Sequence, residues 1–323
     1  GSWGTALAIR LATRQETLLW GHEPDVMATL ASERENSTFL PDIEFPPSLA
    51  IEADLETAVR ACRDLLIVVP SHAFREVIKN TAGFLADDTR IAWATKGLEP
   101  GSGKFMSAVL EEELGTKYPA AVVSGPTFAL EVARGLPTAL TVASNNPPFA
   151  NDMAARLHGD VMRAYTSDDM LGVQLGGTVK NVLAIASGIT DGLQLGANSR
   201  AALITRGLAE IIRLGDAMGA RRETLMGLAG VGDLILTCTD DLSRNRRLGL
   251  ALGRGTELGV AVEQIGQVVE GFNTAREVVQ LARTHRVDMP ISEQVYRVLY
   301  EGLSPQDAVH NLLARDIRSE SVG

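Results

Sequence analysis

Two lysines occupy positions that do not suit an ordinary surface charge. Lys180 lies in the nearly apolar run Gly176–Ile185, whose composition predicts a buried helix. An ammonium in such surroundings costs free energy unless it is paired or takes part in chemistry, and burial lowers its pKa toward working pH. Lys96 comes two residues after the end of the predicted strand Arg90–Ala94, and ligands of open α/β sheets bind at such strand ends. Both are therefore candidates for proton transfer or for stabilising negative charge; the alternative is a side chain that extends its ammonium to solvent.

Further polar residues with helical spacing follow in the C-terminal half. Asp233 and Thr237 are four residues apart in a run that starts with glycines, and they share a face if that run is helical. The string Ser243-Arg244-Asn245 offers a hydroxyl, a guanidinium and an amide in succession. That mixture can bind a phosphate group, with the arginine donating two parallel hydrogen bonds. The alternative interpretation of this string is the solvated start of a helix.

The first residues have the spacing of part of a dinucleotide-binding turn. Gly1 and Gly4 match the second and third glycines of G-x-G-x-x-G, and a helical pattern, Thr5–Ala12, follows. Gly1 would let the backbone approach a pyrophosphate, and Gly4 would let the helix pack closely on the sheet. The N–H groups that open the helix would face the phosphates. We expect the first glycine and the first strand of the motif to precede residue 1.

A histidine stands where an acidic residue usually contacts the adenine ribose. The predicted second strand ends at Trp20-Gly21, and His22 follows, with Glu23 adjacent. An acid at this position repels a 2′-phosphate and binds a 2′-hydroxyl. His22 therefore predicts that NADP is accepted as well as NAD, with NADPH preferred; the alternative is an ordinary surface histidine.

Strands and helices that would position these residues alternate in the first half of the chain. Strands are predicted at Thr17–Trp20, Leu49–Glu52, Leu65–Val69, Arg90–Ala94, Ala120–Ser124 and Thr138–Ser144, and helices at Thr5–Ala12, Leu55–Cys62, Phe74–Asn80 and Phe105–Leu114. This alternation is typical of βαβ units and a mostly parallel sheet. Asp54 is placed to cap the second of these helices.

From about Asp168 onward the patterns are helical and strands disappear. Helices are predicted at Gly172–Ser187, Ala201–Met218, Val260–Ile265, Glu270–His285 and Ser292–Tyr300, and a last one begins at Pro305 with Ser304 as its cap. We therefore predict an α/β domain of the Rossmann type over residues 1–168, with its first strand missing from the chain. An all-α domain that carries substrate-binding and catalytic residues would follow over residues 169–323.

Composition excludes several classes of function. The formal net charge of −10 argues against binding to nucleic acid or to an anionic membrane surface. No apolar run approaches the ~20 residues that span a bilayer. Cys62 and Cys238 lie far apart and outside any metal-ligand spacing, so neither a disulfide nor a metal is expected. No secretion leader precedes the first helix, so we expect a cytoplasmic protein.

Ten short strings, in order, carry a resemblance to a known family. They are Gly1–Ala8, Val69–Ser71, Trp93–Glu99, Ser124–Ala129, Gly176–Asn181, Asp191-Gly192, Gly196–Asn198, Gly230–Thr239, Ser243–Arg247 and Val269–Gly271. With them the chain resembles the bacterial NAD(P)-dependent glycerol-3-phosphate dehydrogenases over essentially its whole length, apart from the first strand. The resemblance implies a C-terminal domain like that of 6-phosphogluconate dehydrogenase. It also implies reversible reduction of dihydroxyacetone phosphate to sn-glycerol 3-phosphate, the backbone of glycerophospholipids, and we expect a homodimer.

The resemblance also implies roles for individual residues. Lys180 would be the proton donor and acceptor at the substrate oxygen, with Lys96, Asp233 and Thr237 beside it. The residues expected to line the substrate are Lys96, Gly125, Thr127, Lys180, Asn181, Asp233, Ser243, Arg244 and Asn245. Those expected to contact NADP or NAD are Gly1, Ser2, Trp3, Gly4, His22, Lys96, Ala129, Arg244, Val268 and Glu270.

Two other readings remain open from the residues alone. A reductase of the ketopantoate or β-hydroxyacid type would have the same two-domain layout but would act on carboxylates. The Ser243-Arg244-Asn245 string argues against it, because it suits a phosphate. A noncatalytic NAD(P)-sensing protein would need the nucleotide turn but neither Lys180 nor Asp233.

Overall fold

The computed structural model describes residues 1–316 and divides the chain into two compact units. The first unit comprises Gly1–Thr95 and Met106–Met170. The second comprises Lys96–Phe105 and the residues from Leu171 onward. The predicted boundary between residues 168 and 169 stays a prediction, and the last seven residues of the predicted second domain lie outside the described residues.

The first unit alternates strands with helices. Its strands are β1 (Thr17–Trp20), β2 (Glu35–Asn36), β3 (Leu40–Glu44), β4 (Leu49–Glu52), β5 (Asp64–Ile67), β6 (Arg90–Trp93), β7 (Ala120–Ser124), β8 (Thr138–Ser144) and β9 (Met162–Ser167). Its helices are α1 (Ser2–Ala12), α2 (Pro24–Glu33), α3 (Leu55–Arg60), α4 (Phe74–Thr81), α5 (Met106–Leu114), α6 (Ala129–Ala133) and α7 (Pro147–Leu157). Short 3₁₀ turns cover Ser71–Ala73 and Ala82–Phe84.

Parallel pairing dominates the sheets of this unit. Five strands pair in the order β5-β6-β7-β8-β9, β1 pairs with β4 and β2 with β3. All neighbours are parallel except β7 with β8 and β2 with β3. The antiparallel strand β8 follows the short helix α6 and has seven residues. The prediction of a mostly parallel α/β unit is confirmed.

A cavity of about 410 Å³ has the edges of two strands among its walls. It is lined by all of β1 and β5 together with residues of α1 and α3. Among residues 1–316, β1 pairs only with β4 and β5 only with β6, so each has one edge without a strand partner. The cavity therefore lies beside β1 and β5 as a further strand of the sheet would. That a strand precedes residue 1 stays a prediction.

The second unit is helical. Its elements are α8 (Met170–Gly192), α9 (Gly196–Met218), α10 (Arg222–Leu225), a π-helical turn (Leu228–Gly232), α11 (Asp233–Thr239), α12 (Arg244–Gly253), α13 (Leu258–Ile265), α14 (Glu270–Thr284), α15 (Pro290–Tyr300) and α16 (Pro305–Leu313). The prediction of an all-helical C-terminal half is confirmed. Among residues 1–316, no helix is long and apolar enough to cross a bilayer.

Most predicted elements lie within a few residues of their expected bounds. Asp54 accepts a hydrogen bond from Thr57 N–H at 2.8 Å and caps α3, as predicted. Ser304 likewise accepts from Asp307 N–H at 3.0 Å at the start of α16. The prediction omitted β2, β3, β9, α2, α6, α7 and α10, and it considered α11 only conditionally and the start of α12 only as an alternative. Several of these are short, and the pattern of β9 is mostly polar because half of its residues are exposed.

Helix α8 is buried along most of its length, and α12 packs against it backbone to backbone. A Cβ built on Gly249 would lie 1.9 Å from the Ile185 carbonyl oxygen, and one on Gly188 would lie 2.1 Å from the Arg246 carbonyl oxygen. Neither position can therefore hold a larger residue without movement of a helix. Asp191, near the end of α8, adds an ion pair with Arg246 at 2.8 Å. These contacts fix the start of α12, which carries the Ser243-Arg244-Asn245 string, relative to α8.

Gly249→Ala should lower the free energy of unfolding by about 3 kcal/mol, because its methyl group would overlap a backbone carbonyl that cannot move alone. Urea unfolding of the purified protein measures this loss. Gly83→Ala is the matched control, since a Cβ at Gly83 meets nothing within 4 Å. Equal stability of the two variants would contradict the close packing of α8 and α12.

Candidate active site

Lys180 is buried in the middle of α8 with its ammonium held by α11. Its Nζ donates to Asp233 Oδ1 at 2.5 Å and to Thr237 Oγ1 at 2.9 Å. Asp233 and Thr237 share one face of α11, and the Thr237 hydroxyl also lies 3.3 Å from Asp233 Oδ1. The side chain of Lys180 is only 9 % exposed and that of Asp233 only 1 %, so the ammonium is both desolvated and paired.

The same carboxylate binds a second lysine. Lys96 Nζ donates to Asp233 Oδ2 at 2.6 Å, so each carboxylate oxygen receives one ammonium. Burial lowers the pKa of Lys180 to about 8, with the charge of Lys96 acting in the same direction and Asp233 opposing it. Burial alone would raise the pKa of Asp233, but the two lysines outweigh it and hold that pKa below its usual value. Lys180 is thus a cation that can release its proton near neutral pH.

Glycines let α8 approach the turn that precedes Asp233. A Cβ on Gly176 would lie 2.5 Å from the Ala229 carbonyl oxygen, and one on Gly230 would lie 1.9 Å from the Leu225 carbonyl oxygen. Gly176 is one helical turn before Lys180 and lies on the same side of α8. The backbone contact at Gly176 therefore brings the Lys180 side chain to the start of α11. π-helical turns such as Leu228–Gly232 occur frequently at functional sites.

A chain of amides connects the starts of α12 and α14 with α8. Asn245 Nδ2 donates to Asn181 Oδ1 at 2.9 Å, and Gly271 N–H donates to Asn245 Oδ1 at 2.9 Å. Ser243 caps α12 by accepting a hydrogen bond from Arg246 N–H at 3.2 Å. Asn181, Ser243 and Asn245 are all buried. Asn181 directly follows Lys180, so the network fixes the residue beside the buried ammonium.

Arg244 lies at the first position of α12, where the helix dipole disfavours a cation. Burial lowers the pKa of its guanidinium, while the nearby Glu270 carboxylate raises it. A half-buried arginine beside the free N–H groups of a helix start attracts an anion such as a phosphate. Val268, two residues before Glu270, is 41 % exposed.

The other predicted residues belong to the first unit. Helix α1 begins at Ser2 with Gly1 as its cap, and a Cβ on Gly1 would meet nothing within 4 Å. A Cβ on Gly4 would lie 3.5 Å from Val68, an ordinary contact, so close packing of α1 does not require glycine there. The open helix start nevertheless suits a dinucleotide phosphate. The side chain of Trp3 is partly buried.

His22 and the segment after β7 complete this set. The His22 side chain is 80 % exposed and lies 3.6 Å from Glu23. A Cβ on Gly125 would lie 2.8 Å from the Leu140 Cα, so this segment packs closely on β8. Thr127 Oγ1 donates to the Gly125 carbonyl at 3.2 Å, and Ala129 is the first residue of α6. Among the residues that the structure describes, no three His, Cys, Asp or Glu side chains gather as a metal site would require.

Two buried acids of the helical unit, Glu210 and Glu277, were not among the predicted residues. Glu277 on α14 is 7 % exposed and accepts a hydrogen bond from Gly101 N–H at 2.9 Å. The available signal was its position in the helical pattern: Glu277 shares the apolar face of α14 with Thr274 and Val278, which are also buried. An acid on such a face needs a polar partner.

A dinucleotide-type α/β unit and a buried lysine–carboxylate centre together define a dehydrogenase that uses a nicotinamide cofactor. Comparison with protein families identifies the particular kind of dehydrogenase. The model described as "NAD-dependent glycerol-3-phosphate dehydrogenase N-terminus" matches residues 1–150, and the corresponding C-terminal model matches residues 169–310. The chain belongs to the NAD-dependent glycerol-3-phosphate dehydrogenase family.

Individual relatives agree with this assignment. The chain is 60 % identical over 321 residues to the glycerol-3-phosphate dehydrogenase (NAD(P)+) of Thioalkalivibrio sulfidiphilus, covering 99 % of this chain and 96 % of that protein. It is 55 % identical to the enzyme of the same name from Shewanella frigidimarina, covering 100 % and 96 %. The crystal structure of glycerol-3-phosphate dehydrogenase from Coxiella burnetii superimposes with a TM-score of 0.94 at 51 % identity, covering 98 % and 97 %.

Asp233→Asn should lower the free energy of unfolding at pH 7 by about 3 kcal/mol, because it leaves two lysines without their counter-charge in a buried site. Glu263→Gln makes the same chemical change at an exposed position of the same unit and serves as the control. Urea unfolding curves of both variants measure the difference. A loss no larger than that of the control would mean that the lysines do not depend on Asp233.

Proposed function

We propose that this protein reduces dihydroxyacetone phosphate to sn-glycerol 3-phosphate with NADPH or NADH, and catalyses the reverse oxidation. Family membership supports the reaction. The single observation that carries the mechanism is the Lys180 ammonium, buried, bound to Asp233 at 2.5 Å and with a pKa of about 8. A proton donor is most effective when its pKa lies near the operating pH.

Lys180 gives its proton to the substrate oxygen. When bound, the reduced nicotinamide supplies a hydride to the ketone carbon, which leaves negative charge on the oxygen. Lys180 neutralises that charge by protonating the oxygen, and Lys96 stabilises it while it develops. Asp233 keeps both ammoniums in place, and Thr237 fixes the direction of the Lys180 side chain. In the reverse direction neutral Lys180 accepts the proton.

The start of α12 binds the phosphate of the substrate. Arg244 is half-buried, and Ser243 and Asn245 hold the adjoining backbone in position. Asn181 lies between this helix start and Lys180 in the amide chain, where it can orient a substrate hydroxyl. Gly125 and Thr127 form the remaining part of the proposed substrate site.

The cofactor site comprises the start of α1, His22, Ala129 and the Val268–Glu270 segment. Gly1, Ser2, Trp3 and Gly4 contribute an exposed helix start, which suits a pyrophosphate. His22 is exposed just after β1 and places no carboxylate where a 2′-phosphate would lie. The carboxylate of its neighbour Glu23 weakens the resulting preference for NADP. We therefore propose use of both cofactors with NADPH preferred. Lys96 and Arg244 belong to both the cofactor and the substrate site.

The setting of the enzyme is also a proposal. The reaction product is the backbone of glycerophospholipids, so we propose a role in lipid synthesis, and we propose that the enzyme acts in the cytoplasm. We further propose that it acts as a homodimer, and sedimentation of the purified protein measures this. The division into a nucleotide-binding domain, residues 1–168, and a substrate domain, residues 169–323, belongs to the same proposal.

An absorbance assay of NADPH and NADH oxidation tests the reaction. We expect turnover with dihydroxyacetone phosphate and both cofactors, a lower KM for NADPH, and little turnover with unphosphorylated dihydroxyacetone, because Arg244 would lack its anionic partner. Equal turnover of the two ketones would contradict the phosphate site. No oxidation of either cofactor would overturn the proposed function.

Lys180→Ala should lower kcat about 10²–10⁴-fold, the usual contribution of general acid–base catalysis. In the parent enzyme, reduction should decline as pH rises above about 8, because Lys180 then loses the proton that it donates, whereas oxidation should increase over the same range. Initial rates between pH 6 and 10 in both directions measure these profiles. Lys79→Ala, at an exposed lysine of α4, is the control. A folded Lys180→Ala enzyme with parental turnover would refute the assignment.

A further inference from the structure

The segment Lys96–Phe105, here called the Lys96 hairpin, lies in sequence between β6 and α5 of the first unit but belongs to the helical unit. Leu98 and Phe105 pair as an antiparallel bridge at its base. Nearer the tip, Glu99 N–H donates to the Lys104 carbonyl at 2.8 Å and Gly103 N–H donates to the Glu99 carbonyl at 2.9 Å. The segment is thus a hydrogen-bonded hairpin rather than an irregular loop.

The base of the hairpin is anchored in the helical core and at Asp233. Leu98 is 1 % exposed and Phe105 is 9 % exposed, and both belong to the hydrophobic core of the second unit. Lys96, next to this base, reaches Asp233. Gly101 and Gly103 have φ angles of +85° and +66°, which allow the chain to reverse at the tip.

Both oxygens of the Glu277 carboxylate face the tip. Oε1 accepts the hydrogen bond from Gly101 N–H at 2.9 Å. A Cβ built on Gly103 would lie only 3.2 Å from Oε2, so this oxygen lies near Gly103 and leaves little room for a side chain there. Glu277 is buried in the middle of α14, a fifteen-residue helix, and therefore offers a rigid attachment. The hairpin is held at one end by the Lys96–Asp233 pair and at the other by Glu277.

We propose that Glu277 is a positioning residue for the reaction: it fixes the Lys96 hairpin on α14 and so keeps the Lys96 ammonium at the substrate. This inference rests on the proposed function, since Lys96 acts there as a stabiliser of negative charge. Glu277 touches neither Asp233 nor Lys180 directly, and its effect passes through the backbone of the hairpin. Displacement of a reactive group by about 1 Å can cost 10²-fold in rate.

Glu270 and Glu277 lie seven residues apart on α14, two turns or about 10 Å along its axis. Their spacing places them on the same side of the helix. The start of α14 carries the proposed cofactor contact Glu270 and, through Gly271, the amide chain to Asn245 and Asn181. One helix therefore supports three groups of the proposed site: Glu270, Asn181 and Lys96.

A double-mutant cycle tests the proposal. Glu277→Met keeps the length of the side chain and removes the acceptor, and we expect kcat for dihydroxyacetone phosphate to fall about tenfold. The Kd for NADPH, measured by fluorescence, should change by a smaller factor than kcat, because most of the proposed cofactor contacts lie in the first unit, which the substitution does not touch. In a Lys96→Ala background the same substitution should lower kcat by less than about twofold, since Lys96 is no longer there to be positioned.

Two further variants complete the design. Glu277→Gln keeps an oxygen that can accept the Gly101 hydrogen bond, and its kcat should stay within about twofold of the parent. Glu263→Met, at an exposed position of α13, is the control for the substitution itself. If Glu277→Met does not fold, Glu277→Ala takes its place in the cycle.

An equal loss of kcat from the Glu277 substitution in the parent and in the Lys96→Ala background would overturn the proposal, because it would show a structural effect independent of Lys96. Parental kcat in a folded Glu277→Met enzyme would overturn it as well. A parent enzyme without activity toward dihydroxyacetone phosphate would instead refute the proposed function. The two failures are therefore distinguishable.

Discussion

The carboxylate of Asp233 makes the ion pairs on which the buried lysine centre of the helical unit depends. It is almost completely buried and binds Lys180 through one oxygen and Lys96 through the other. Without it, the buried Lys180 ammonium and the partly buried Lys96 ammonium would repel each other in a medium of low dielectric constant. With it, one positive charge remains in excess, so the centre attracts an anionic substrate although the chain as a whole has a net charge of −10.

The architecture around this centre serves to bring three backbone segments unusually close. Glycines at 176, 188 and 249 remove the side chains that would otherwise separate α8 from the π-helical turn and from α12. Because of these short separations, the long helix α8 supports Lys180, its partner Asp233 and the start of α12 together. Side chains in close-packed interiors have little freedom to shift. Accurate placement of Lys180 therefore follows from where the backbones touch.

The sequence predicted the elements and the chemistry better than it predicted the contacts. Lys180 was recognisable because a charge in an apolar helix is costly, and Asp233 with Thr237 because their spacing matches one helical turn. The bond between Lys180 and Asp233 joins residues 53 positions apart, and no local pattern specifies such a pairing. The role of Gly176 was equally inaccessible, because the carbonyl that it accommodates belongs to Ala229 on another element.

The Lys96 hairpin was the least predictable feature. Its sequence follows a strand of the nucleotide-binding unit, and this position along the chain predicts that it belongs to that unit. Its membership in the helical unit depends on two buried side chains, Leu98 and Phe105, and on a carboxylate 176 residues further along the chain. Tertiary contacts of this range leave little trace in composition or periodicity.

The hairpin also limits how this enzyme can be recombined with its relatives. A chimera joined near residue 169 would bring a Lys96 hairpin from one parent to the helices of another. The two parents would then have to agree at the core around Leu98 and Phe105, at the carboxylate on α14 and at Asp233. Where the parents differ at these positions, exchange of the helical half would therefore require that residues 96–105 be exchanged with it. The helical unit is therefore discontinuous in sequence, although it is compact in space.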